Sequence, residues 1–144
     1  MGVLAYFQTP LGATINSILG LGGSTGGTGD TNNVNDTTKP VITFPDEPTV
    51  LATSASIPWH TDENSSSQVE YGISNTYGSL EPAAPSDDPS TGQSIGVIDH
   101  AVILTGLQPN QTYHYRVKSK DAAGNEAVSE DKTLTTLEAA GSGT

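Results

Sequence analysis

The sequence predicts an all-β antiparallel sandwich over residues 38–138, built from about seven strands. Three observations carry this expectation. Apolar residues recur at every second position in short runs, and Gly, Pro, Asn, Asp and Ser separate those runs at sandwich spacing. The chain of 144 residues is long enough for one domain of about 100 residues plus extra segments. It contains no cysteine, so burial alone must hold the core, and disulfides, thiolate metal sites and thiol nucleophiles are excluded.

The predicted strands run in order from Val41 to Phe44. Ala55, Ile57 and Trp59 then alternate inward, followed by Val69, Tyr71 and Ile73. Tyr77 to Leu80 forms a short strand. Val102 and Leu104 face in from the next, Tyr113, Tyr115 and Val117 from the one after, and Leu134 from the last. Pro58 sits inside an inner strand, where it removes a ladder donor and predicts a bulge or an open edge. Residues 81–99, rich in Pro, Ser and Asp, read as a long exposed loop fit for contacts. Residues 139–144 read as a short flexible tail.

Ahead of the sandwich lie two chemically distinct segments. Residues 1–21 contain no charged side chain. Thr9 can cap a helix with Pro10 in its first turn, which places Leu11, Ile15, Ile18 and Leu19 on one face before Gly20, Gly22 and Gly23 end it. A helix of roughly eleven residues containing Gly12 is marginal alone, so it needs a surface to pack on. The competing reading makes Gly2 to Phe7, with Val3, Leu4, Tyr6 and Phe7, a strand that adds to the sheet edge of another chain. Both readings make residues 1–21 a docking arm, and the alternative is a segment that folds back on its own domain or is disordered. No positive residue precedes the apolar run at Val3–Phe7, and Gln8-Thr9-Pro10 interrupts it, so it does not read as an export signal. Residues 22–37, dominated by Gly, Ser, Thr, Asn and Asp, read as a flexible tether with a typical reach of ~20 Å.

Leu104-Thr-Gly-Leu107-Gln-Pro109-Asn-Gln-Thr-Tyr113-His-Tyr115-Arg-Val117 resembles the corner region of fibronectin type III domains, an immunoglobulin-like sandwich family. The resemblance implies that Tyr113 is the corner tyrosine and Trp59 the core tryptophan, with Tyr71, Leu107 and Tyr115 also in the core. Trp59-His-Thr-Asp-Glu, Ser67-Gln-Val-Glu-Tyr71-Gly and Asp121-Ala-Ala-Gly-Asn125 look like the bacterial and archaeal surface-protein branch of that family. A similar module stands at the N-terminus of purple acid phosphatases. Such motifs specify fold and leave function open.

Sixteen acidic residues against five basic ones give a net charge of -11, which repels phosphate backbones and anionic membranes. No run of 18 apolar residues is present to span a bilayer. His60 and His114 fall at outward strand positions and His100 precedes a strand, so all three histidines read as surface residues and not as ligands. Asp87-Asp88 and the set Asp121, Asn125 and Glu126 lack the alternating ligands of a calcium loop and read as solvated turn residues. No nucleophile elbow, phosphate loop or dinucleotide fingerprint occurs, so no catalytic residue, cofactor or metal is expected. Asn35, Asn64 and Asn110 lie in glycosylation sequons, which permit that modification without requiring it.

The expected function is therefore structural: a sandwich displayed outside a multi-subunit extracellular assembly, a cell-surface filament or a virion, and held there by the arm. Its expected partners are copies of itself or a scaffold protein of the same assembly, with no nucleic acid. The alternative is a carbohydrate- or cell-surface-binding accessory module of a secreted enzyme or adhesin, for which a glycan ligand lacks support in the scarce exposed aromatics.

Overall fold

A computed structural model describes residues 35–141. The arm residues Val3, Leu4, Tyr6, Phe7, Leu11, Ile15, Ile18 and Leu19, and most of the tether, lie outside that range. Among the described residues the strands are β1 (Ile42–Thr43), β2 (Thr49–Val50), β3 (Ser54–Ser65), β4 (Ser67–Gly72), β5 (Ser79–Ser86), β6 (Val97–Thr105), β7 (Thr112–Lys120), β8 (Glu126–Val128) and β9 (Lys132–Thr135), with a 3₁₀ turn at Pro89–Thr91.

All pairings are antiparallel and fall into two sheets. His60 pairs with both Thr43 and Asp99, and Ala55 with both Val50 and Leu104, so β1 and β2 are two pieces of one strand position on the edge of β3 away from β6. Likewise Lys118 pairs with Gln68 and Val128, and Tyr115 with Tyr71 and Lys132, so β8 and β9 share the edge of β7 away from β4. The two sheets thus hold three and four strand positions respectively.

Period-two alternation builds the core. Ala55, Ile57 and Trp59 from β3, Val69 from β4, Val102 and Leu104 from β6, and Tyr113, Tyr115 and Val117 from β7 are all buried between the sheets, with Leu107 and Leu134. Tyr71 is half-buried against this cluster, its ring tilted toward Tyr113 at 6.4 Å. The Tyr113 hydroxyl accepts a hydrogen bond from the Gln108 N–H at 2.9 Å, which ties the β6–β7 crossing to the ring that fills the core beneath it.

The structure corrects three local expectations and decides a fourth. Residues 81–99 are not one loop: they supply most of β5, the 3₁₀ turn and the start of β6. Pro82 and Pro85 are tolerated because β5 is an edge strand, paired only with β4 among the described residues. The strand expected at Tyr77–Leu80 starts two residues late, since Tyr77 and Gly78 take positive φ in the preceding turn. Ile73, expected inward, falls beyond the end of β4 and is exposed. Finally, of the two alternatives expected at Pro58, the open edge is found there and the bulge is not. Pro58 pairs in register with Ala101 and faces the gap between β1 and β2, while the register breaks further on, between His60 and Ser65.

Candidate functional site: the polar end of the sandwich

The break in β3 sets up the chemistry. The stretch from His60 to Ser65 faces only Asp99 to Val97 on β6, so the surplus residues bulge. Gly96, at φ 78, permits this close approach, because a Cβ there would meet the Ser65 backbone nitrogen at 2.8 Å. The bulge folds hydroxyls around the His100 ring. His100 Nε2 lies 2.8 Å from Thr61 Oγ1 and 3.5 Å from Ser65 Oγ, and Nδ1 lies 2.7 Å from Ser67 Oγ. Thr61 donates its single hydroxyl proton to the Glu63 carbonyl at 2.8 Å, so it accepts from His100, which places the ring proton on Nε2 and leaves Nδ1 to accept from Ser67.

His100 is therefore not a surface residue. Only 4% exposed, it stacks on Trp59 with ring centroids 4.7 Å apart and planes 4° from parallel. The Trp59 indole N–H in turn donates to Ser119 Oγ at 2.9 Å. Burial drives the imidazole pKa down to about 4, with His60 acting in the same direction, so the ring is neutral at physiological pH. Ser67 beside His100 has the spacing of a nucleophile and its base, yet both are buried and the Trp59 indole covers one face of the ring. The arrangement holds the fold together and offers a substrate no approach. A sequence signal for it existed: His100 shares parity with Val102 and Leu104, as Thr61 does with Trp59 and Asp121 with Ser119.

Asp121 is the second correction, since it is buried and not solvated. Its Oδ1 accepts from the Asn125 backbone N–H and its Oδ2 from Asn125 Nδ2, both at 2.8 Å. Asn125 Nδ2 also donates to the Asp36 carbonyl at 3.0 Å, so the sandwich already holds the chain two residues before its predicted start. Glu126 points away to Lys118 at 3.3 Å. Asp121 instead converges with Asp36 and Glu63, their carboxylate oxygens within 4.8 Å of one another. An all-oxygen set of this kind is what hard cations take, but both Asp121 oxygens already accept hydrogen bonds from Asn125. Burial raises the Glu63 pKa above its usual carboxylate value, and Asp121, Asp36 and Asp62 raise it further.

This cluster yields a signed expectation. A carboxyl whose folded pKa exceeds its unfolded value loses stability on ionising, so Glu63 weakens the fold as pH rises through and above 4.5. Glu63→Gln should raise stability at pH 7 by roughly 0.5 kcal/mol and change nothing at pH 3, as read by urea denaturation. An equal gain at both pH values would show that charge repulsion is not the cause.

The remaining candidates are engaged in ordinary pairs. His60 Nδ1 lies 2.8 Å from Asp99 and His114 Nδ1 2.8 Å from Asp131. Asp88 caps the 3₁₀ turn through Ser90 and binds Lys120 Nζ at 2.6 Å, which ties the segment after β5 back to β7. Burial opposes the Asp88 charge, but Lys120 and Ser90 outweigh it and lower the carboxyl pKa. Asn35, Asn64 and Asn110 are exposed, but Ser65 and Ser66 of the Asn64 sequon are buried.

Three and four strand positions in facing antiparallel sheets, a corner tyrosine and a core tryptophan define a fibronectin type III-like sandwich module. The chain belongs to the family of purple acid phosphatase N-terminal domains, which it matches over residues 28–136. No curated protein matches it. Among solved structures, the sensor domain of an anti-sigma factor from Pseudobacteroides cellulosolvens is similar at 16% identity and TM-score 0.49, over 72% of this chain and 100% of that one. A fibronectin type III domain of human fibronectin type III domain containing protein 3 is similar at 20% identity and TM-score 0.47, over 85% and 99%.

Proposed function

We propose that this chain is a non-enzymatic structural protein of an extracellular assembly, a surface filament or a virion, in which residues 1–21 anchor and the sandwich is displayed. The observation that carries this reading is a division of chemistry within the chain. In the sandwich the buried polar side chains are all engaged, His100 with Thr61 and Ser67, Asp121 with Asn125 and Ser119 with Trp59, so their polar groups serve the fold. The 21 residues of the arm carry no charge in a chain of net charge -11, and offer Tyr6, Phe7 and seven Val, Leu or Ile side chains. A surface of that kind gains by leaving water against a partner.

Deleting residues 1–21 should leave a soluble, folded monomer that no longer assembles, as seen by sedimentation and electron microscopy against the full chain. Assembly that survives the deletion overturns the proposal.

Family membership favours a second reading, an accessory module of a larger secreted protein that binds glycan or a cell surface. The half-buried Tyr77 ring is a poor sugar platform. The Arg116 guanidinium covers one face at 4.6 Å and Asp131 holds the hydroxyl at 2.9 Å. Glycan binding that persists in the arm-deleted chain would favour this reading.

A further inference from the structure

The two sheets do not close on one side. Between β1 and β8 runs a groove of about 430 Å³ lined by Pro40, Ile42, Phe44, Ala127, Val128 and Lys132, among others. Its walls are edge strands: among the described residues, β1 is paired only with β3 and β8 only with β7. Five of its eight lining residues are apolar, with Val128 44% exposed and the Phe44 ring lying under Lys132 Nζ at 4.2 Å, and Ser129, Glu130 and Lys132 are the polar remainder. Resting on the assembly reading above, we infer that this groove is the receptor for the arm of a second copy, in which Val3–Phe7 adds as a strand between β1 and β8.

Charge, length and pattern select this occupant. Each chain carries a net charge of -11, so a neighbouring sandwich would approach against repulsion, whereas residues 1–21 bring none. Thirty-four residues precede the described range, and the Gly-rich stretch from 22 reaches ~20 Å before the chain is held at Asp36. In Val3-Leu-Ala-Tyr-Phe7 the side chains of a strand alternate, Val3, Ala5 and Phe7 on one face and Leu4 and Tyr6 on the other. A strand entering the groove could thus bury one apolar face while its backbone pairs with an open edge.

The absence of cysteine makes the test clean. Full-length Phe7→Cys and Val128→Cys chains are mixed and oxidised, with Ile103→Cys, exposed on the outer side of β6, as the control site. Docking between copies predicts cross-linked heterodimers at Val128 about tenfold above Ile103, because a docked pair meets at high effective concentration. The chain carrying both Phe7→Cys and Val128→Cys should form a covalent ladder. Circular dichroism melts of each variant confirm that it folds. A monomeric, internally closed double variant means that the arm fills its own groove and overturns the inference. Assembly by sedimentation with no excess cross-linking at Val128 overturns it too while leaving the assembly reading intact. A full chain that never assembles removes both.

Discussion

Replacing Trp59 with alanine should cost the sandwich about 4 kcal/mol, enough to leave a domain of ordinary stability partly or wholly unfolded near room temperature. Trp59 is 2% exposed and is the largest of the fully buried side chains, so truncation opens a cavity that the rigid β3–β6 pairing cannot close. The loss spreads along two contacts: His100 loses its stacking face and Ser119 its donor. The hydrogen bond can be separated from the packing. Trp59→Phe keeps most of the volume but strands Ser119 Oγ, whereas adding Ser119→Ala removes the unsatisfied partner and should recover part of the loss. Urea denaturation followed by far-UV circular dichroism reads all three. A double variant no more stable than Trp59→Phe alone would show that the bond to Ser119 contributes nothing of its own.

Acidification from pH 7 to pH 4 should remove about 3 kcal/mol of stability through His100. The imidazole is neutral in the fold down to about pH 4, whereas in the unfolded chain it takes up a proton near its ordinary value of 6.5. Between those values only the unfolded state gains the proton, so stability falls as pH drops and levels off, for this group, below 4. The cause is structural. A second ring proton would meet Thr61 and Ser67 in a buried site under Trp59, where the loss of water outweighs the attraction of Asp87 and Asp99. His100→Gln should be less stable at pH 7 but lose less on acidification, and the difference between the two pH profiles isolates the group. An NMR titration of His100 with a midpoint near 6.5 would falsify this account.

These two residues also mark the boundary of what a sequence can specify. Trp59 and Tyr113 could be placed in the core from local pattern alone, because strand parity and the Leu-x-Pro turn are properties of consecutive residues. His100 was within reach by the same parity with Val102 and Leu104, but an imidazole in a core contradicts the residue's usual exposure. What makes it tolerable is the ring of hydroxyls from Ser67 on β4 and from Thr61 and Ser65, the last two delivered by a bulge that no period-two pattern reveals. The prolines of residues 81–99 misled in the opposite direction. They exclude a central strand but not an edge, and which strands lie at edges is decided by pairing order.

The sequence by itself determined the sandwich, the identity of most inward-facing residues, and the contrast between an uncharged arm and an acidic domain, since alternation and composition are written along the chain. Only the tertiary structure decided the rest. Asp36, Glu63 and Asp121 meet although separate segments supply them, His100 is sealed under Trp59, and one side of the sandwich stays open between β1 and β8. Each of these depends on where distant strands come to lie beside one another, and that is fixed by register and sheet order, to which local periodicity is blind.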